Sequence, residues 1–288
     1  MEQLISVIIP TFNREATITK SINSVLNQTY DNIEVVVVDD YSTDNTENIV
    51  KKIIDPRLRY IKLEKNSGAC VARNCGVKLA RAEIIAFQDS DDIWHKDKLK
   101  RQLDYINDNN LDFCSSAFVR ISPKDRRIIA GERIIKEKES LWCDLLNHNW
   151  VSTQTIICKK NCFEQIKFDE NIKRYQDWDI ALQAVNYFKV GHFTVPLVDV
   201  YLQSDSITNT VKNDEAMMAV VMKHENDIRN RKMRAQFHKT LADIQRKKDR
   251  ILAAKNYRKS FFLQPTFKKF LCYLMCVTGG IKFYKNRQ

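Results

Sequence analysis

The sequence predicts an α/β protein built on a layered parallel sheet, and three observations carry that expectation. Near-continuous apolar runs at Leu4–Ile9 and Ile33–Val38 read as strands buried on both faces. Segments with apolar residues three and four apart follow them, as crossover helices require. Paired carboxylates, Asp39-Asp40 and Asp89-Ser90-Asp91-Asp92, close two of the strands. In such sheets ligands bind beyond the carboxyl ends of the strands.

Taken in order, the first strand runs Leu4–Ile9 and is ended by Pro10. Ala16, Ile18, Ile22, Val25 and Leu26 give a helix within Glu15–Gln28. The strand Ile33–Val38 follows, and Ser42-Thr43-Asp44 offers a cap for a helix over Asn45–Ile54. Leu58–Leu63 reads as a third strand. After the turn Asn66-Ser67-Gly68, Ala69–Ala82 reads as a helix and Glu83–Gln88 as a fourth strand. Lys96–Asn107 is a helix and Phe113–Ile121 a strand. Residues 122–200 are less regular, with helical patterns at Ser140–Asn147 and Trp178–Tyr187. A short strand pair, Gly191–Thr194 and Leu197–Leu202, is expected to hinge at Pro196. Beyond Asp214 the pattern is helical, best at Glu215–Arg229 and Lys232–Phe262.

A chain of 288 residues with 44% hydrophobic and 10% aromatic content has ample core and excludes wholesale disorder. Six Gly and five Pro exclude collagenous or low-complexity chains. The start, with Glu2 and a polar break by Thr11, is not a signal peptide. The apolar run Phe270–Val277 falls far short of the roughly 20 residues of a membrane span. The eight cysteines show no CxxC pair and no zinc set, so free thiols in a reducing cytoplasm are expected. The net charge of +11 is uneven: residues 212–288 hold 19 Lys+Arg against 6 Asp+Glu, and residues 1–211 hold 28 against 30. A basic tail on an acidic-leaning body implies a second task or a tether.

Asp89 and Asp91, two apart at the end of an extended segment, point to one side. Adjacent carboxylates repel unless a cation sits beside them, and Mg²⁺ or Mn²⁺ takes oxygen ligands together with substrate phosphates. The competing reading is a solvated acidic turn capping the next helix. Asp39-Asp40 can accept from a base N–H or a ribose hydroxyl, or can serve as a capping turn. Arg73, on the helix after Gly68, can pair with phosphate, pair with Asp40, or stand in solvent. Asp177, within Arg174-Tyr175-Gln176-Asp177-Trp178-Asp179, is a candidate general base and equally a candidate N-cap. There is no GxGxxG, P-loop or GxSxG elbow.

Together these residues resemble the family 2 glycosyltransferases, which have the GT-A fold. The matches are Ser6–Asn13 (SVIIPTFN), Val38–Asp44 (VDDYSTD), Asn66-Ser67-Gly68 with Ala72–Gly76 (ARNCG), Phe87–Asp92 (FQDSDD), Phe168-Asp169-Glu170 and Gln176–Asp179 (QDWD). They fall in the family's order over roughly residues 4–205. The resemblance implies a Rossmann-like central sheet and inverting transfer from a nucleoside-diphosphate-sugar, expected to be of UDP type. Pro10, Phe12 and Asn13 would line the base pocket, with Asp40 on the base edge and Arg73 nearby. Asp89 would contact the ribose, Asp91 the Mn²⁺ or Mg²⁺ ion, and Asp177 would deprotonate the acceptor hydroxyl. Asp92, Gln176 and Trp178 would support the acceptor or the site residues. Two departures stand out: Gln176 replaces the usual Glu, and Leu202-Gln203-Ser204 replaces the Arg and His usual near the diphosphate, leaving Lys212 as a substitute.

The implied layout is a catalytic domain over 1–211, with a nucleotide-sugar half to about 121 and an acceptor half to 211. A basic helical extension covers 212–288. There, Phe261, Phe262, Phe267, Phe270, Tyr273, Phe283 and Tyr284 lie among Lys268, Lys269, Lys282, Lys285 and Arg287. That mixture suits an anionic membrane surface, the cytoplasmic face in this setting, where a glycan or lipid-linked acceptor would be met. Helix packing on the body is the alternative, and nucleic acid is not expected as a partner. Two rival functions stay open at this point. A nucleotidyltransferase should show a Gly-rich basic loop in place of Thr11–Glu15 and would release pyrophosphate. An inactive sugar-nucleotide-binding module should lack the carboxylates that are present.

Overall fold

The computed structural model describes residues 2–123, 125–130, 137–202 and 213–278. The chain falls into two compact units. The first comprises residues 1–136, 150–171 and 176–206; the second comprises 137–149, 172–175 and 207–288.

The first unit is built on one sheet. Its strands are β1 (Ile5–Thr11), β2 (Ile33–Asp39), β3 (Leu58–Lys62), β4 (Ile84–Phe87), β5 (Ile93–Trp94), β6 (Phe113–Ser122), β7 (Asp125–Ile129), β8 (Ile157–Lys159) and β9 (Val190–Tyr201). The order is β3-β2-β1-β4-β8-β6-β9-β5, with β7 beside β6. Helices α1 (Ile18–Leu26), α2 (Thr46–Lys51), α3 (Ala69–Leu79), α4 (Lys98–Asn109) and α6 (Gln176–Tyr187) belong to the same unit.

Strands β3, β2, β1 and β4 are parallel, as the buried apolar runs predict. The sheet then turns mixed: β8 is antiparallel to both β4 and β6, while β6 and β9 run parallel. Strands β5, β7 and β8 carry too few residues for a legible period. The expected hinge at Pro196 is instead a continuous β9. A register shift opposite Ser116–Val119 of β6 accommodates a residue that has no N–H for the ladder.

The period of two sorts β1. Ile5, Val7 and Ile9 join the large core with Val35, Val37, Ile22 and Leu103. Ile8 faces the opposite way, where α3 lies so close that a Cβ on Gly76 would stand 2.4 Å from Ile8 Cγ2. Gly68 opens α3 at φ 96°, a left-handed conformation that glycine adopts without strain. The eight cysteines are free thiols, six of them buried. Burial pushes the Cys114 and Cys162 thiols up to about 12.

Helix α6 begins two residues before the predicted Trp178. Asp177 is therefore not its N-cap: it lies in the first turn, and its carboxylate accepts the N–H of Trp178 at 2.7 Å. At α2 the capping contact comes from Asp44, whose Oδ1 accepts the Thr46 N–H at 3.0 Å.

The second unit holds α5 (Lys138–Asn147), α7 (Asn213–Lys223), α8 (Arg231–Gln245), α9 (Arg250–Leu263) and α10 (Phe267–Thr278). The single helix predicted over Lys232–Phe262 is two. Asp249 caps the second by accepting the Leu252 N–H at 2.9 Å, which satisfies one of the orphan donors of a fresh N-terminus. Ala242, Ala253, Ala254, Tyr257 and Cys276 form this unit's own small core, with Cys272 and Tyr273 against it. Lys269 is buried, with Nζ 3.0 Å from Gln264 Oε1, so it is not part of a solvated basic face. Lys212, Lys282, Phe283, Tyr284, Lys285 and Arg287 lie outside the described residues, as do Gln203 and Ser204.

Candidate active site

The carboxyl ends of β1, β2 and β4 bring most of the predicted residues to one edge of the sheet. The acidic loop after β4 carries three carboxylates in four residues, and each has a different environment. Asp89 is partly exposed, and its carboxylate accepts from Arg73 Nη2 at 2.8 Å. Its backbone carbonyl accepts from Ser21 Oγ at 2.8 Å, which ties the loop to α1. Asp91 is partly exposed and faces Arg14, Nε to Oδ2, at 3.5 Å. Asp92 is buried: Oδ1 accepts the Tyr201 N–H at 2.9 Å and Oδ2 accepts from Gln154 Nε2 at 2.6 Å. Burial, reinforced by the charges of Asp89 and Asp91, pushes the Asp92 carboxyl well above the usual carboxylate range.

Arg73 lies on α3, is buried, and joins the acid loop to α6. While Nη2 holds Asp89, Nη1 donates to Gln176 Oε1 at 2.8 Å. Its guanidinium stands over the Phe168 ring, 5.4 Å from the centroid. Of the alternatives open to Arg73, it neither stands in solvent nor pairs with Asp40; its carboxylate partner is Asp89. Gln176, where the family usually has Glu, receives one arm of this fork through its amide oxygen. Asp177 follows directly and is half-buried, and Trp178 is buried in α6.

The remaining predicted residues organise the loops. Both oxygens of buried Asp40 accept backbone N–H groups, from Ser67 and Gly68, each at 2.7 Å. That holds the turn into α3 against the end of β2. Asn13, at φ 50°, donates its N–H to Ser42 Oγ and accepts from the Thr43 N–H through Oδ1, both at 2.9 Å. It therefore stitches the β1 loop to the β2 loop. Pro10 is buried within β1, whereas Phe12 presents a 40% exposed ring. Asp39 is buried and accepts from the Ser42 N–H at 2.7 Å and from the Tyr60 hydroxyl.

Sequence reasoning missed three partners of the acid loop. Arg14 stood in plain view beside Asn13, but nothing local tied it to Asp91. Ser21 is one of several polar residues on α1. Gln154 lies in the irregular stretch and has no motif; only the fold delivers it to Asp92. Among the described residues no group of three or more His, Cys, Asp or Glu forms a preassembled metal cage. The acid loop still fits a hard divalent ion: its donors are oxygens, and Asp89 and Asp91, two carboxylates two residues apart, are both partly exposed.

Comparison with known proteins identifies the family. The family model for glycosyl transferase family 2 matches residues 6–172, more than half of the chain. The chain is 36% identical over 177 residues to a putative teichuronic acid biosynthesis glycosyltransferase, TuaG, of Bacillus subtilis, covering 60% of this chain and 69% of that protein. It is 35% identical over 167 residues to an Escherichia coli protein named UDP-Glc:alpha-D-GlcNAc-diphosphoundecaprenol beta-1,3-glucosyltransferase WfgD, covering 58% of this chain and 64% of that one. It spans only 29–31% of the length of three longer uncharacterised glycosyltransferases of Rickettsia species. In fold it resembles S. aureus TarS 1–349 solved with UDP-GlcNAc, with TM-score 0.65 at 22% identity over 96% of this chain and 80% of that one. It also resembles mannosyltransferase PcManGT of Pyrobaculum calidifontis solved with GDP-Man and Mn²⁺, with TM-score 0.62 at 18% identity over 98% and 81%. The family match runs from the first strand through the acid loop and Arg73 and ends just short of Gln176; on that ground the chain, with its GT-A-type sheet, belongs to glycosyl transferase family 2 and is a glycosyltransferase.

Proposed function

We propose that the chain moves a sugar from a nucleoside-diphosphate-sugar to an acceptor hydroxyl in one in-line, inverting displacement, in cell-surface polysaccharide or glycolipid assembly. The observation that carries this reading is Arg73, which holds Asp89 of the acid loop and Gln176 at the start of α6 at once. It sets the residues assigned to the donor beside the residue assigned to the acceptor, which is the positioning a single displacement needs. The exposed Phe12 ring offers a face for the base, and Asp89 an acceptor for a ribose hydroxyl. In this reading Asp40 acts by fixing the Ser67-Gly68 turn rather than by touching the base. Asp91, with Asp89 beside it, would hold Mg²⁺ or Mn²⁺, which when bound supplies charge neutralisation at the leaving diphosphate. Asp177 accepts the proton of the attacking hydroxyl, and no covalent enzyme intermediate is required. A UDP-type donor is supported by the name of WfgD and by TarS having been solved with UDP-GlcNAc. A lipid-linked or glycan acceptor is supported by the names of WfgD and TuaG.

The test is thermal stabilisation of the protein by a panel of nucleoside diphosphates, with and without Mn²⁺, beside Asp91→Ala. A ligand at about 100 times its Kd adds about 2.7 kcal/mol. One diphosphate should stabilise the wild type only with the metal, and the variant should lose the effect. No response to any diphosphate at any metal concentration would overturn the donor site and leave an inactive relative.

A further inference from the structure

Helix α9 carries its buried residues on one face and an unusual set on the other. Ala253, Ala254, Asn256, Tyr257 and Ser260 are buried. Lys255, Arg258, Lys259, Phe262 and Leu263, spaced i, i+3, i+4, i+7 and i+8, share the opposite face. That face lines a groove of about 560 Å³, closed on its other side by Arg234 and His238, one turn apart on α8. The groove's wall is almost entirely apolar, made of the stems of these side chains with Phe262 and Leu263, so four permanent cations stand at its rim. Burial, together with the charges of Lys259 and Arg234, pushes the His238 imidazole below its usual range, so it adds no charge at neutral pH. Arg234 has a carboxylate partner, Glu225, at 3.1 Å. Lys255, Arg258 and Lys259 have no ion-pair partner among the described residues, and Arg258 stands over the Phe262 ring, 5.7 Å from its centroid.

The groove continues into apolar surface. The Phe262 ring is 62% exposed and meets Phe261 edge-on at 5.8 Å, and Phe261 meets Phe270 of α10 at 5.6 Å. On α10, Phe267, Phe270, Leu274 and Val277 form a single exposed stripe at spacings of three and four. A contiguous apolar stripe of this kind is what a surface meant only for water avoids, and here it lies beside a cluster of cations. They match a boundary where phosphate groups lie next to hydrocarbon.

We propose that the cationic rim of the α8–α9 groove binds the phosphate headgroups of an anionic lipid bilayer while the α10 stripe enters the acyl boundary. The guanidinium and ammonium groups hold phosphate oxygens, and Phe262 and Phe270 lie at the level where headgroup gives way to chain. This deepens the lipid-linked acceptor reading above and rests on it for its purpose, though not for its binding chemistry. No helix among the described residues is long and apolar enough to cross a membrane.

The experiment is co-sedimentation of the full chain with vesicles of phosphatidylcholine alone, or of phosphatidylcholine mixed equally with phosphatidylglycerol, at low and raised salt. The wild type should pellet with the anionic vesicles, less so at raised salt, and not with the neutral ones. Removing one cation should weaken partitioning about fivefold, and Lys255→Gln/Arg258→Gln/Lys259→Gln together about a hundredfold. Phe267→Ser/Phe270→Ser should weaken it while keeping its salt sensitivity. All five side chains are exposed, and unchanged circular dichroism melting confirms that the variants fold. Equal binding to both vesicle types, or undiminished binding by the triple variant, would overturn the proposal. So would stabilisation by inorganic phosphate, or capture of a single-stranded oligonucleotide, in a protein that ignores anionic vesicles. The triple variant is also tested with nucleoside diphosphate and Mn²⁺. A retained donor response with lost vesicle binding supports the groove. Vesicle binding without any donor response in the wild type strikes the transferase reading alone and leaves the groove standing.

Discussion

Gln154 Nε2 donates to Asp92 Oδ2 at 2.6 Å and is one of two clamps on a carboxylate buried behind the acid loop; the other is the Tyr201 N–H. The pair ties the loop after β4 to the end of β9. Ser152 Oγ and the Trp94 indole N–H bond the Gln154 amide oxygen and backbone carbonyl in turn, at 2.9 and 3.0 Å. Gln154→Ala leaves a buried carboxylate short of a donor and should cost about 1–3 kcal/mol in urea unfolding. It should also weaken metal-dependent stabilisation by the nucleoside diphosphate, because Asp91 adjoins the loosened residue. Asp92→Asn with Gln154→Glu reverses donor and acceptor and should recover much of both losses. A double variant no better than the singles would show that the contact does not set the loop.

In the proposed mechanism Asp177 acts on the acceptor and not on the donor, so its removal should separate binding from turnover. In Asp177→Asn the side-chain oxygen can still accept the Trp178 N–H, which preserves the first turn of α6. Turnover should fall about 10²–10⁴-fold, the usual contribution of a positioned base. Donor-induced thermal stabilisation should be unchanged. Unchanged turnover would remove Asp177 from the chemistry.

The strands that carry the site were legible because they are buried on both faces. Ile33–Val38 has no polar residue after Glu34, and its end at Asp39-Asp40 marks the sheet edge. The carboxylates were legible as a group, since acids at the ends of apolar strands have few structural excuses. What each acid does was not legible. Asp40 and Asp92 are held by partners 27 to 109 residues distant, a separation at which no local pattern operates. The α8–α9 break was hidden for a different reason. Arg246, Lys247 and Lys248 are good helix formers, and only the capping geometry of Asp249 shows where one helix ends.

Lys98 gives the fold a pH signature. It is fully buried at the start of α4, with Nζ 3.9 Å from the centroid of the Trp94 ring and no hydrogen-bond partner. Burial pushes its ammonium down to about 7. The folded chain then binds fewer protons than the unfolded one at any pH between that value and the unfolded value of about 10.4. Stability should rise with pH across this window, by up to about 1.4 kcal/mol per pH unit, and the contribution should be flat below it. The Trp94 face opposes part of the effect by favouring the cation. Lys98→Met should be more stable than the wild type at pH 7, and the difference between the two should shrink as pH rises toward 10. A difference that is constant with pH in urea unfolding would mean that Lys98 keeps its charge.

Gly76 links packing to chemistry through Arg73, one turn earlier on α3. A Cβ at Gly76 would stand 2.4 Å from Ile8 Cγ2, so the helix reaches its depth on β1 only because that atom is absent. Gly76→Ala must push α3 outward or force Ile8 off its rotamer, at about 1–3 kcal/mol. Alanine's better helix propensity returns about 1 kcal/mol of this. The net result should be a modest loss of stability with a disproportionate loss of donor response, since Arg73 moves away from Asp89 with its helix. In the Ile8→Ala background the clash is gone and only the propensity gain remains, so the same substitution should become stabilising. Thermal unfolding of the four proteins, each with and without nucleoside diphosphate and Mn²⁺, reads both effects. Equal effects of Gly76→Ala in the two backgrounds would show that Ile8 does not set the depth of the helix.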